Sequence, residues 1–446
     1  MSARFANWLR PCIAAAVAGI AVCSYFFVVA RSYGLDLRVY RDSAAAFRSG
    51  HNPYLSNFTQ SHLPFTYPPF ALVVLSSLTW TSFVITHWLL FLASIAAATA
   101  AVAFVLVDRG FANRASLWCG SFAWACISMV LLEPARSGID YGQIESVLMF
   151  MVVADLLVVP APFRGVLLGI AAAIKLTPLI FVVVLIVRRD WRSVARSGLA
   201  IVLLTGLTWL LWPDLSRTFW RHDVFHPARV GPVNSAANQS WFAVVHRPPF
   251  PSHGSMPAWL ALSMVTVLVG TFVAWRCADT DRQSFAVIAV ALVGLLISPI
   301  SWTHHWVWVL LVPPMLIGPR RHDTELVVRR MLWGIVVLTI AAPYWWISTG
   351  ALADALEAAL PVWTLAALLV WCRVEYLDWR RAPRHSSGAH HREFQSSGAS
   401  QPAGPTSGRG TRMATTSIHV GWSRPDRRQY RTGTDFQSRL FTPPSE

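Results

Sequence analysis

The chain has 446 residues, of which 54% are hydrophobic and only 13% charged, and its mean hydropathy is +0.46. A soluble globular chain carries about a quarter charged residues, so that class is excluded. The formal net charge of +15 would suit a nucleic-acid binder, but the basic residues are nearly all Arg, and many sit in short turns between apolar runs. That is the positive-inside pattern of a membrane protein, and no nucleic-acid partner is expected.

Apolar runs long enough to cross a bilayer, ~20 residues each, recur from Cys12 almost to Cys372. Spans exposed to lipid must satisfy their own backbone, which makes them helices. The first, 12–30, follows Arg4 and Arg10, is long for a signal-peptide core and lacks a convincing cleavage site; it is read as a retained span with the N-terminus inside. Further spans are expected near 84–107, 116–132, 143–159, 164–174, 177–188, 197–213, 258–276, 284–300, 303–318, 331–348 and 361–376. Charge tests that layout. The inner turns hold Arg109 and Arg114, Arg164, then Arg188, Arg189, Arg192 and Arg196, then Arg276 and Arg282, then Arg320, Arg321, Arg329 and Arg330, so every one is basic.

Two places stay open. Tyr67 to Trp80 reads as a short interfacial helix or as a full span, and 164–188 as two short spans or one long one. Two short spans are preferred, because Pro178 removes a helix hydrogen bond and Lys175 sits at the break. Residues 1–376 form the transmembrane domain. From 377 to 446 the composition turns to Ser, Gly, Pro, Gln and Arg with little to bury, which predicts a disordered cytoplasmic tail whose His385, His390 and His391 are solvated. The six cysteines lie in or at the ends of apolar runs without metal-ligand spacing and read as small hydrophobes.

Two outer segments, 31–66 and 212–258, are too long for simple turns, and long ordered loops usually carry function. The first holds Asp36, Arg38, Tyr40, Arg41 and Asp42. A partly desolvated carboxylate there is a candidate general base; alternatively, Asp36 and Asp42 pair with Arg38 and Arg41. Lys175, the only lysine, lies deep in apolar sequence. A buried ammonium suits a phosphate, although the side chain could instead snorkel to the interface. His304 and His305 stand between two apolar runs, as proton relay or phosphate donors or as members of a Trp-rich belt. Adjacent side chains on a helix diverge, which argues against a shared metal ion, and no metal site is expected. Glu133 to Arg136 together with Tyr141 to Glu145, and Asn234 to Trp241, are two further polar patches on the same face. Five polar clusters far apart in sequence thus converge on one side of the membrane. A transporter or flippase of a lipid-linked sugar is the reading from another class, since an intramembrane lysine and broken helices also build substrate pathways.

Taken in order, Asp36-Leu-Arg-Val-Tyr40, Tyr67-Pro-Pro69, Gly142-Gln143, Gly169 to Pro178, Asn238-Gln-Ser240 and Ser298 to Trp308 resemble glycosyltransferase family 87. The resemblance implies the C-type glycosyltransferase membrane fold, all-α with about twelve spans. It implies transfer of mannose from polyprenyl phosphate mannose to a glycolipid acceptor such as a phosphatidylinositol mannoside, lipomannan or lipoarabinomannan, at the extracytoplasmic face of the plasma membrane. An alpha bond forms with inversion, and alpha-1,2 is preferred to alpha-1,6. Asp36 is the implied catalytic base, with Asp42 in reserve. Lys175 and Arg38 are assigned to the donor phosphate, with His304 and His305 in the catalytic group. Tyr40, Tyr67, Gln143, Asn238, Gln239 and Trp302 are assigned to substrate binding. Trp241 and Trp306 are further sugar platforms, unless these rings are merely an interfacial belt. No cofactor is expected, and the remaining partners are membrane lipids. Glu145 departs from the pattern, which has a neutral residue there.

Overall fold

A computed structural model describes residues 3–29, 33–248, 255–278, 282–317, 325–347 and 349–381. The described residues are mostly helical. In order come α1 (Ala3–Val28), α2 (Leu35–Arg48), α3 (Pro69–Leu75), α4 (Phe83–Asp108), α5 (Arg114–Leu131), α6 (Glu133–Tyr141), α7 (Glu145–Leu157), α8 (Val166–Ile174) and α9 (Val182–Val187). They are followed by α10 (Trp191–Leu211), α11 (Pro213–Arg221), α12 (Trp241–Val245), α13 (Ser255–Ala278), α14 (Gln283–Ile297), α15 (Val312–Leu316), α16 (Leu326–Ala341) and α17 (Ala351–Arg381). The single sheet among the described residues is a two-stranded antiparallel hairpin, Asn57–Phe58 with Leu63–Pro64, in the first outer segment.

The expected twelve spans are not reproduced as twelve long helices. Among the described residues seven helical stretches are long and apolar enough to cross a membrane, within α1, α4, α5, α10, α13, α16 and α17. The predicted spans at 143–159, 164–174, 177–188, 284–300 and 303–318 fold as shorter pieces, such as the 13-residue α7 and the 9-residue α8. At 1.5 Å per residue such pieces fall short of a ~30 Å hydrocarbon layer. The difference is one of surroundings. The best 18-residue window of α4 is 72% buried inside the protein, against 11% for that of α10, so α10 offers Leu199, Val202, Leu203 and Leu210 to lipid while α4 forms the centre.

The stretch from Tyr67 to Trp80, left open by the sequence, holds the short helix α3 followed by a 3-10 turn, Ser76–Trp80. The break at Lys175 is also present. Helix α8 stops at Ile174, Lys175 is extended (φ −146°, ψ 133°), and a 3-10 turn, Thr177–Phe181, carries Pro178 in its first turn. Helix α8 lies against α10 so closely that a Cβ on Gly169 would meet the Ser197 carbonyl oxygen at 2.6 Å. The domain boundary expected at 376/377 falls inside α17, which runs on to Arg381; the tail from 382 lies outside the described residues.

Candidate active site

The first outer segment begins with an amphipathic helix, α2, rather than a loop. Gly34, left-handed at φ 51°, starts α2, and its amide donates to the Asp140 carbonyl at 2.8 Å, pinning α2 to α6. Residues four apart share a helix face, so Asp36 and Tyr40 both point into a cavity of about 490 Å³. Gly142 turns the chain between α6 and α7 with φ 72°, and a Cβ there would meet the Leu37 side chain at 2.7 Å. That close approach delivers Gln143 to α2.

One hydrogen-bonded chain then crosses the cavity wall. The Gln143 amide donates to Asp36, and Gln143 Oε1 accepts from Tyr40 OH at 2.6 Å and Tyr67 OH at 3.2 Å. The two phenols are 2.7 Å apart, Lys175 Nζ donates to Tyr67 OH at 3.0 Å, and the same ammonium is ion-paired with Glu145. His305 Nε2 lies 3.3 Å from Lys175 Nζ and 3.6 Å from Glu145. Each hydroxyl has one proton and the ammonium can only donate, so the donors run in one direction, from Lys175 toward Asp36. A hydrogen bond from Tyr54 OH to the Tyr67 carbonyl, 2.7 Å, and one from Arg229 to the Tyr54 carbonyl, 2.6 Å, support this wall from behind.

Asp36 is half-buried, open toward the cavity. Burial pushes its carboxyl up to about 7; the nearby Glu145 carboxylate adds to the rise, while the Gln143 hydrogen bond and the Lys175 ammonium oppose it. A carboxyl poised there accepts a proton near neutral pH. The cavity is also lined by Tyr67, Tyr141, Thr177, Trp302, His304 and His305, with Phe219, Asp223, His226 and Arg229 on the side of the second long outer segment. A second cavity of about 460 Å³ lies behind Lys175, walled by Leu148, Met149, Ile180, Phe181, Ala291, Leu295 and Trp308. Lys175, Leu176, Thr177 and His305 line both.

Several sequence-assigned residues lie elsewhere. Arg38, two positions from Asp36, is on the opposite face of α2 and stacks over Phe83, 4.1 Å from the ring centroid; it does not line the cavity with Asp36 and Lys175. Asp42, the reserve base, is exposed and also outside the cavity lining. Arg41 does not pair with a carboxylate in α2; it donates to the Leu78 carbonyl and, at 2.5 Å, to Thr86 Oγ1. Asn238 and Gln239 are fully buried and serve the backbone. Asn238 Nδ2 donates to the Val233 and Pro299 carbonyls at 2.9 and 3.0 Å, and its Oδ1 accepts from Ser301 N at 2.8 Å. Gln239 Nε2 donates to the Ala236 carbonyl at 2.7 Å. They stitch the second outer segment to the turn before His304 instead of reaching the cavity. Trp241 and Trp306 are likewise buried away from it, whereas Trp302 lines it.

The expectation that the two histidines diverge fails. Thr303–Leu311 is a 3-10 turn rather than α-helix, the rings are 4.7 Å apart and perpendicular, and one ligand atom each from Glu145, His304 and His305 falls within 4.8 Å of the others. The Lys175 ammonium stands in contact with two of the three, so the cluster already holds a cation belonging to the chain. Glu145, the apparent departure from the family pattern, is that cation's counter-charge.

Helical spans enclosing a buried carboxylate and ammonium in one cavity, with a second apolar cavity alongside, define a polytopic membrane protein that carries its polar chemistry within the membrane protein body. The profile of glycosyltransferase family 87 matches residues 65–299. The chain is 35% identical over 329 residues to a polyprenol-phosphate-mannose-dependent alpha-(1-2)-phosphatidylinositol pentamannoside mannosyltransferase of Mycobacterium tuberculosis, covering 70% of this chain and 73% of that one. It is 31% identical over 323 residues to a polyprenol-phosphate-mannose-dependent alpha-(1-2)-phosphatidylinositol mannoside mannosyltransferase of Mycolicibacterium smegmatis, covering 65% and 72%. No solved structure matches. The chain belongs to glycosyltransferase family 87 and is a multi-pass membrane glycosyltransferase.

Proposed function

We propose that this chain transfers mannose from polyprenyl phosphate mannose to a hydroxyl of a phosphatidylinositol mannoside, forming an alpha-1,2 bond at the extracytoplasmic face of the plasma membrane. The donor, acceptor and linkage are those in the names of the relatives. The observation that carries the mechanism is the hydrogen-bonded chain that holds one carboxylate and one ammonium at opposite ends of the same cavity wall. The side of the membrane rests on the arginines: Arg164 pairs with Asp190 at 3.4 Å, and Arg196 donates to the Arg164 carbonyl at 2.7 Å, both at the ends of α7, α8 and α10 remote from the cavity.

In this reading Asp36 takes the proton of the acceptor hydroxyl as that oxygen bonds to the anomeric carbon from the face opposite the phosphate. The carbon–oxygen bond to phosphate breaks, its electron pair stays on the phosphate oxygen, and the beta donor gives an alpha product. Lys175, with His305 and His304 beside it, meets the charge that develops on the phosphate. The polyprenyl chain lies in the second cavity, which is apolar, adjoins Lys175 and approaches lipid where Leu179 and Ile186 are exposed.

Protein in lipid nanodiscs, given radiolabelled polyprenyl phosphate mannose and a phosphatidylinositol mannoside pool, tests this. General-base catalysis contributes about 10²- to 10⁴-fold, so Asp36→Asn is expected to lose transfer by that factor while Asp42→Asn transfers as the wild type does. Linkage analysis of the product checks the bond. Equal transfer by Asp36→Asn and wild type would remove Asp36 as the base; absence of label in any acceptor with wild type would remove the donor assignment.

A further inference from the structure

Glu133 opens α6 and does not line either cavity, yet three donors from distant parts of the chain converge on its carboxylate. Thr303 Oγ1 donates to Oε1 at 3.0 Å, Trp345 Nε1 to the same oxygen at 3.4 Å, and Tyr344 OH to Oε2 at 2.9 Å. Glu133 is 4% exposed, Thr303 2% and Tyr344 1%, so the bonds from Thr303 and Tyr344 are made out of water, while Trp345 is half exposed. An apolar side chain would fill the space without the cost of desolvating a carboxylate. What the carboxylate adds is a fixed acceptor that two other elements must face at once.

Thr303 directly precedes His304 and His305. The 3-10 turn it begins has no side-chain cap of its own, and 3-10 hydrogen bonds are poorer than those of an α-helix. The turn therefore needs outside support to aim two imidazoles. Helix α6 supplies it at both ends: Glu133 holds Thr303, and Tyr141 sets its ring edge-on to His304 at 5.7 Å between centroids. Tyr344 ties the same carboxylate to the Pro343–Trp345 turn after α16, bracing it against a third element.

We infer that Glu133 is a positioning residue for the histidine pair, fixing through Thr303 the turn that aims His304 and His305 into the cavity. The inference rests on the role given above to the histidines, and the test separates the two. Glu133→Ala, Glu133→Gln, Thr303→Val and Thr303→Ser are compared in nanodiscs for kcat, donor KM and thermal unfolding. A Gln oxygen can accept from Thr303 and Trp345 while its amide donates to Tyr344, so Glu133→Gln and Thr303→Ser are expected to stay within about threefold of wild type. Misplacing a catalytic group costs on the order of 10²-fold, so Glu133→Ala and Thr303→Val are expected to lose kcat by roughly 10- to 100-fold with donor KM little changed. Adding His305→Gln to Glu133→Ala should cost less than it does alone, because the two act through one group.

Wild-type kcat in Glu133→Ala beside a damaged His305→Gln sinks the positioning role and leaves the histidine assignment standing. A Glu133→Gln variant as poor as Glu133→Ala overturns it, since charge rather than geometry would then matter. So does a loss that appears entirely in KM. Intact kcat in both His304→Gln and His305→Gln removes the histidine role itself, and with it the reason for any loss at Glu133.

Discussion

Replacing Gln143 by Met keeps the bulk of the side chain and deletes the one amide that donates to Asp36. Tyr40 and Tyr67 still have each other, and Tyr67 still has Lys175, so the wall stays hydrogen-bonded. A hydrogen bond to a charged group contributes about 1.5–3 kcal/mol, and one pKa unit corresponds to ~1.36 kcal/mol. Losing it therefore raises Asp36 by roughly one to two units from its value of about 7. The base works only when deprotonated, so activity is present above this pKa and is lost as pH falls through it. The measurement is kcat/KM for mannosyl transfer across roughly pH 5.5 to 10 in nanodiscs. Wild type should half-activate near 7, and Gln143→Met about one to two units higher, with the two curves approaching each other at the alkaline end. A midpoint that does not move, or moves down, refutes the assignment of Asp36 as the titrating base or of Gln143 as its donor.

Lys175→Met leaves Glu145 buried without its partner and is expected to cost about 3–5 kcal/mol of stability as well as activity, seen as a lower melting temperature in detergent. Pairing it with Glu145→Met should recover the stability and not the transfer; recovery of both would remove Lys175 from the chemistry. Asn238→Ala deletes bonds that join two backbone segments, so its damage, about 1–3 kcal/mol, is expected in thermal stability; an acceptor KM that rises with stability unchanged would return Asn238 to the substrate. Gly169→Leu places side-chain atoms where the Ser197 carbonyl already stands, and failure of α8 to pack on α10 should lower expression and melting temperature together.

How much of this was legible depends on which physical signal each feature leaves in the sequence. The Lys175 break was readable because a proline and a lone cation in apolar sequence both oppose a continuous helix. The pairing of Asp36 with Tyr40, and the exclusion of Arg38 and Asp42, follow from a single period of 3.6 residues once 35–48 is recognised as helix. That segment follows a span and is polar on average, so it read as a loop. The backbone partners of Asn238 were not legible, because a polar side chain in an outer segment looks the same whether it faces a cavity or a neighbouring carbonyl; only the fold shows that Pro299 and Ser301 are there to meet it. The number of spans was hard to read for a related reason. Hydropathy registers how apolar a stretch is, and it does not separate a long lipid-facing helix from short segments such as α7 and α14, most of whose residues are buried among other helices.

The two cavities that meet at Lys175 have a consequence for turnover. On the proposed function, a donor with a sugar at one end and a long hydrocarbon at the other would enter and leave by its tail through the apolar cavity, while the acceptor glycolipid would use the other chamber, past Arg229 and Trp302. The supply of donor becomes a problem of diffusion in two dimensions, set by the surface density of carrier lipid in the surrounding leaflet.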